Sequence, residues 1–207
     1  MFRSLVYDSL IIGMTTHWYA EVLQRMPEGA AMLDVGIGTA GALLANARTV
    51  EDKDLRITGI DIDADYIERA RQRLAGSPLT DRAEVRLESV YDHAGGLYDA
   101  VYFSGSFMLL PDPEGALRHC STLLRPGGRI YFTQTIQQRP SPAMERLKPW
   151  LRRLTSIDFG RVTYEAEFRA QLQAAGLQVE EWTVLQEGRS RRACLVATTP
   201  PGDALGG

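Results

Sequence analysis

The stretch "LDVGIGTAG", Leu33 to Gly41, decides the fold. Counted from Gly36 it satisfies G-x-G-x-x-G, with Gly36, Gly38 and Gly41, the spacing of a dinucleotide-binding turn. Counted from Asp34 it is D-x-G-x-G, with an acid two places before the first glycine. The glycines serve both readings. Without a Cβ they let the backbone come close to a ligand, and a helix that follows presents free N–H groups. Asp34 separates the readings. A carboxylate beside this loop repels a pyrophosphate and suits a ligand that carries an ammonium or a sulfonium.

The segments on either side of the loop alternate between strand and helix. "AAMLDVG" (Ala30–Gly36) reads as a short buried strand, and "TAGALLANARTV" (Thr39–Val50) as one helix opening at the glycine loop. "RITGIDI" (Arg56–Ile62) is a second strand. "DADYIERARQRL" (Asp63–Leu74) is a helix with acids early and arginines late, matching the helix dipole. "AEVRLESV" (Ala83–Val90) alternates as a third strand, and "YDAVYFSGS" (Tyr98–Ser106) is apolar enough for a central parallel strand. "DPEGALRHCSTLL" (Asp112–Leu124) is a helix closed by "RPGG", and "RIYFTQTI" (Arg129–Ile136) is a fifth strand. This βαβ alternation implies a parallel sheet with right-handed crossovers.

The C-terminal part breaks the alternation. "EAEFRAQLQAAG" (Glu165–Gly176) is a helix closed by a glycine. "LQVEEWTVL" (Leu177–Leu185) and "RACLVATT" (Arg192–Thr199) are joined only by "QEGRSR", too short for a parallel crossover, so these two strands pair antiparallel. Residues 1–29 are expected to form an N-terminal helical lid, with Thr15–Met26 helical. Residues 30–199 form the α/β domain, and residues 137–163 an insert broken by Pro140, Pro142 and Pro149. The composition of residues 200–207 predicts a disordered tail.

Bulk properties narrow the function. The 207 residues suffice for one α/β domain, and a net charge of -3 argues against a nucleic-acid partner. The N-terminus lacks the pattern of a signal peptide, and no apolar run reaches the roughly 20 residues of a membrane span. Two cysteines, Cys120 and Cys194, lie far apart and read as reduced core thiols, which fits a cytoplasmic protein. With Lys53 and Lys148 as the only lysines, no Y-x-x-x-K pair of a nicotinamide-dependent reductase exists. No His/Asp/Glu cluster has metal-ligand spacing, so no metal is expected.

Asp61 ends the second strand 20 residues past Gly41, where a carboxylate accepts hydrogen bonds from ribose hydroxyls. Taken with Asp34, "LLRPGGRIYF" and the C-terminal strand pair, the chain from Ala30 to Thr199 resembles class I S-adenosylmethionine-dependent methyltransferases. "LDVGIGTAG" looks like the family's first motif, with Ala40 in place of its third glycine. "GIDID" (Gly59–Asp63) looks like the second, and "ESVYD" (Glu88–Asp92) resembles a loop that commonly reads Gly-Asp-x-x-Asp.

The resemblance implies a Rossmann-like three-layer α/β sandwich. Its seven-stranded, mostly parallel sheet has the order 3-2-1-4-5-7-6, with an antiparallel C-terminal strand and helices on both faces. It implies S-adenosylmethionine as cofactor and S-adenosylhomocysteine as product. The cofactor-binding residues it implies are Asp34, Gly36, Gly38, Thr39, Asp61, Ile62, Ser89, Val90, Tyr91 and Ser104. Ile62 is equally readable as an adenine-facing residue or as core.

On the acceptor side the resemblance points to Tyr7, Trp18, Phe107, Met108, Gln134 and Phe159 for substrate binding, and to His17 and Tyr19 for catalysis. His93 reads as a loop residue and His119 as solvated. The expected activity is methyl transfer to an O, N or S atom of a small-molecule metabolite by a monomer or homodimer. The alternatives are a catalytically silent cofactor-binding or activator subunit of the same fold, or a methyltransferase for RNA or protein.

Overall fold

The computed structural model describes residues 2–137, 163–188 and 191–201, with side chains described from Gly13 onward. Residues 138–162 of the insert, including Phe159, and the tail from Gly202 lie outside the described residues, as does the side chain of Tyr7.

The elements run α1 (Phe2–Arg25), β1 (Ala31–Val35), α2 (Gly41–Leu44), α3 (Ala47–Asp52), β2 (Arg56–Asp61), α4 (Ala64–Leu74), β3 (Ala83–Leu87) and β4 (Tyr98–Ser104). A 3-10 turn (Phe107–Leu109), α5 (Pro113–Thr122) and β5 (Leu124–Gln137) follow. After the insert come β6 (Thr163–Tyr164), α6 (Glu165–Ala174), β7 (Gln178–Glu187) and β8 (Arg191–Thr199). The sheet order is β3-β2-β1-β4-β5-β8-β7, with β6 paired to β5 off this path. This is the Rossmann-like order expected from the sequence. The short β6 adds an eighth strand, so the terminal pair carries higher numbers. β1 to β5 pair in parallel, and β8 runs antiparallel to both β5 and β7.

Alternation along the strands builds two cores. Met32, Ile57, Ala100, Tyr102, Tyr131 and Leu195 face one side, where α1 to α4 deliver Val22, Leu23, Leu43, Val50, Ile67 and Ala70. Leu33, Ile60, Val101, Phe103, Phe132 and Val196 face the other, against Leu117 and Cys120 of α5 and Phe168 and Leu172 of α6. The helix starts carry readable caps. The Asp63 side chain accepts from the Asp65 and Tyr66 amides at α4, and Asp112 accepts from Gly115 at α5.

Four features differ from the expectation. The single helix expected over Thr39–Val50 is two short ones, because the Asn46 side-chain amide donates to Ala42 O and also reaches Thr16 O of α1. "RPGG" is not a stop before the fifth strand but lies within β5, where the β4–β5 register shifts between Tyr98 and Ala100. The third strand, expected over Ala83–Val90, ends at Leu87, and residues 88–97 connect it to β4. The strand face there is polar, with Thr58 bonded to Glu84 and Arg86 paired to Glu84.

The fourth difference concerns the segment expected as a lid. α1 spans Phe2–Arg25, and Trp18, Tyr19, Val22, Leu23 and Met26 are each at most 3% exposed, so its C-terminal half belongs to the domain core. Lys53 Nζ donates to the terminal carbonyls Leu23 O and Gln24 O. Arg25 pairs with Glu21 and with Glu181 of β7.

Gly59 is required by packing. A Cβ there would collide with Ile37 Cδ1, in the loop after β1. Gly59→Ala should destabilise the fold by about 1–3 kcal/mol, and adding Ile37→Val, which removes that Cδ1, should recover part of the loss. Urea unfolding of the two single variants and the double variant measures this coupling.

Candidate active site

The site forms at the carboxyl ends of β1, β2 and β4, where the strand order reverses direction around β1. Gly36 turns the chain at φ +80°, and its Cα faces Ser106 so closely that a Cβ would lie 2.6 Å from Ser106 Cβ. Ser106 Oγ donates to Val35 O, joining the β1 and β4 ends. The Gly36 and Ile37 amides donate to Ile60 O at 2.8 and 3.2 Å. Gly38, at φ +59° and with open space beside it, donates to Asp61 Oδ2 at 2.9 Å.

Asp61 accepts from the Asp63 amide at 3.0 Å through its other oxygen. Each carboxylate oxygen keeps spare lone-pair capacity, so ribose hydroxyls remain acceptable partners. Beside it Ile62 is 78% exposed, which excludes its reading as a core residue. Ser89 Oγ accepts from the Tyr91 amide, and Val90 is buried beneath. Tyr91 Oη donates to Asp112 O and accepts from the Asp112 amide, so its hydroxyl ties the loop to the start of α5. Thr39 is held by Arg73 of α4, whose guanidinium donates to Thr39 Oγ1 at 2.6 Å. Arg73 was not legible as a site residue, because only the fold brings α4 beside the loop.

Asp34 is fully buried. Tyr19 Oη of α1 donates to Asp34 Oδ2 at 2.6 Å, while Asp34 Oδ1 has no partner. Burial pushes the Asp34 carboxyl up to about 7, the Tyr19 hydrogen bond pulls against that, and the charge of Asp61 adds to it. Tyr102 bonds Thr133 on the same sheet face, and burial raises its phenol. Ser104 Oγ is buried there without a well-formed hydrogen bond.

The acceptor-side residues do not gather into one lining. Trp18 is buried, and its ring lies beside Gly105. Phe107 is 3% exposed inside an aromatic cluster, its ring centre 5.6, 5.1 and 5.5 Å from those of Phe103, Phe132 and Phe168. With Met108 it also lines a shallow pocket against Pro113, Thr163 and Glu167. Gln134 is fully buried on β5, with neither amide atom partnered.

The histidines sort differently from their sequence reading. His119 is half-buried rather than solvated, and its Nε2 bonds His93 O. His93 is fully buried between Glu88 and Tyr98, at 2.9 Å from each. His17 is exposed, one residue before the buried pair Trp18 and Tyr19.

A glycine-lined turn, an acid at the end of β2 that holds this turn and a terminal antiparallel strand together define a class I methyltransferase rather than a dinucleotide oxidoreductase. A family model described as a methyltransferase domain matches residues 33–130. A ubiquinone biosynthesis O-methyltransferase of Xanthomonas axonopodis pv. citri is 32% identical over 84% of this chain and 73% of its own length. One of Pectobacterium atrosepticum is 34% identical over 51% of this chain; there the chain spans 42% of the relative. Among solved structures, the [4+2]-cyclase SpnF superposes with a TM-score of 0.73 at 18% identity, covering 90% of this chain and 82% of its own.

The chain belongs to the class I S-adenosylmethionine-dependent methyltransferases. The residues present fit that cofactor. Gly38 offers an open cradle, Asp61 has free acceptor capacity, and the unpartnered Asp34 Oδ1 suits an ammonium. Asp61→Ala removes charge-assisted bonds of about 1.5–3 kcal/mol and the anchor of Gly38. Affinity for S-adenosylhomocysteine, read by calorimetry, should fall roughly 10- to 150-fold.

Proposed function

We propose that the protein methylates a hydroxyl oxygen of a small-molecule acceptor. The observation that carries this reading is the pair of carboxylates at the glycine loop, Asp34 buried at the end of β1 and Asp61 bonded to the open Gly38 turn. The choice of oxygen over nitrogen or sulfur is supported by the names of the relatives, which are O-methyltransferases. Bound S-adenosylmethionine supplies a sulfonium methyl group that an acceptor oxygen attacks in line, with the neutral thioether as leaving group. The chain's task is to align that oxygen, exclude water and take the hydroxyl proton.

Among the three histidines, His93 and His119 are tied to one another's loop and helix, and His17 is the exposed one. We assign the proton to His17 and acceptor binding to Tyr7, Trp18, Phe107, Met108, Gln134 and Phe159. Gln134 is the best supported of these, since its amide offers a donor and an acceptor together and a hydroxyl matches both. Asp34, Gly36, Gly38, Thr39, Asp61, Ile62, Ser89, Val90, Tyr91 and Ser104 form the proposed cofactor cradle. Tyr91 acts there through its hold on α5.

The enzyme is proposed to work in the cytoplasm as a monomer or homodimer. No helix among the described residues is long and apolar enough to cross a membrane, and the net charge of -3 gives little attraction for nucleic acid.

Incubation with methyl-labelled S-adenosylmethionine and a panel of hydroxylated aromatic and aliphatic acids should move label into a base-stable methyl ether. Label retained wholly on the cofactor across the panel would favour a silent subunit, and label on added RNA or protein would favour a macromolecular acceptor. Once an acceptor is found, His17→Ala should lower kcat at least tenfold while leaving S-adenosylhomocysteine affinity unchanged.

Gln134→Leu should separate stability from turnover. Removing a buried amide with both atoms unpartnered should raise the melting temperature, since each such group costs about 1–3 kcal/mol. The same variant should lose acceptor turnover. A lowered melting temperature would place Gln134 in the packing rather than the acceptor site.

A further inference from the structure

We infer that Tyr19 is a positioning residue of the cofactor site, orienting Asp34 and favouring its charged form so that its free oxygen receives the cofactor's ammonium group, and that this couples cofactor binding to release of a proton from the protein. The inference rests on S-adenosylmethionine as cofactor, and it gives Tyr19 a role away from the reacting atoms.

The geometry is specific. Asp34 is fully buried, and among the described residues no arginine or lysine is bonded to it. Tyr19 Oη, 2.6 Å from Oδ2, is the one donor to its side chain among the described residues, and Oδ1 has no partner there. Buried carboxylate oxygens are rarely left so, and one at a ligand site marks a place for a donor that arrives with the ligand. A cationic partner suits this oxygen best, because the charge of Asp61 of β2 adds to the cost of ionising Asp34.

The titratable groups that face Asp34 are therefore Tyr19 from α1, Tyr102 from β4 and Asp61 from β2. The two phenols are held neutral by burial, so both act only as hydrogen-bonding groups across the physiological range. His17, the next titratable group on α1, is exposed. Tyr19 is fixed in turn, its ring edge-on to Tyr102 at 5.0 Å, within the half of α1 that belongs to the core.

Without ligand, Asp34 is poised near neutrality, its carboxyl pushed up to about 7. An arriving ammonium favours the charged form and expels the proton to solvent. Below the ligand-free pKa, affinity for the ammonium ligand then weakens about tenfold per pH unit. Between about pH 4 and 7 the ligand-free fold also loses stability as pH rises, because the native state holds a proton the unfolded chain gives up.

The test is calorimetry of S-adenosylhomocysteine binding to the full chain from pH 5.5 to 8, in paired buffers of different ionisation enthalpy. The wild type should release close to one proton at pH 6 and very little at pH 8, with a midpoint near 7. Tyr19→Phe keeps the ring and its packing. Loss of one hydrogen bond to the carboxylate should move the midpoint up by about one pH unit and weaken binding at pH 7 roughly 5- to 10-fold. Asp34→Asn should bind weakly and release no proton at any pH in the range.

A merely structural role for Tyr19 would lower affinity equally at every pH and leave the midpoint in place, which overturns the inference. Wild-type proton release retained in Asp34→Asn overturns it as well. A wild type that does not bind S-adenosylhomocysteine at all overturns the cofactor reading itself, a result distinguishable from the other two.

Discussion

The contact between Gly36 and Ser106 is the constraint on which the site depends. The ends of β1 and β4 meet there with no room for a side chain, and Ser106 closes the junction by donating to Val35 O. A side chain at position 36 would push the β1 and β4 ends apart and disturb the turn itself, since φ +80° is open to glycine at no steric cost. The loop cannot shift sideways either. The Gly36 and Ile37 amides are drawn to Ile60 O, and Ile37 fills the space that Gly59 leaves on β2. One close approach therefore fixes a loop, and the loop fixes where Gly38 and Asp61 face each other.

A second economy lies between β3 and β4. A crossover of ten residues, 88–97, spans two strands without a helix to cover them. The sheet tolerates this because Thr58, Glu84 and Arg86, on one face of β2 and β3, bond among themselves at the surface. The loop is held from within instead. His93 is fully buried with both ring nitrogens bonded, to Glu88 and Tyr98, and its carbonyl accepts from His119 of α5. These bonds set the path of Ser89 to Tyr91, so a polar network does the positioning that an apolar helix face would otherwise do.

What the sequence made legible was whatever depends on local period and short motifs. The central strands showed as apolar runs, α4 by its early acids and late arginines, the terminal pair by its short link, and Gly36, Gly38 and Asp61 by spacing. What it hid depends on contacts between distant residues. The split between α2 and α3 comes from Asn46 reaching back to Thr16, thirty residues away. Helical composition alone could not reveal it. Trp18, with Val22 four residues on, reads as a packing face and is buried, whereas the burial of Tyr19 beside it follows from where α1 lands on the sheet. Arg73 looked like a dipole-matching arginine at the end of α4, and only the fold places its guanidinium on Thr39.

The remaining polar groups show why such a site is not built for maximal stability. Asp34, Ser104 and Gln134 lie on three neighbouring strands, and each leaves buried polar capacity unfilled. An apolar side chain at any of the three positions would satisfy packing at lower cost, as the surrounding valines and phenylalanines do. The protein offsets that cost with two extensive cores and a helix, α1, whose buried half reaches across β4 and β8. The same helix carries Tyr19, so the element that adds apolar burial also supplies the one donor to the Asp34 side chain among the described residues. Stability and function meet in a single side chain whose ring packs against Tyr102 while its hydroxyl restrains a carboxylate. That dual duty explains how the fold holds a buried carboxyl to which no arginine or lysine is bonded among the described residues. The ring supplies the packing that makes the hydroxyl's position definite, and a definite donor is what makes the second, open oxygen of Asp34 a recognition element.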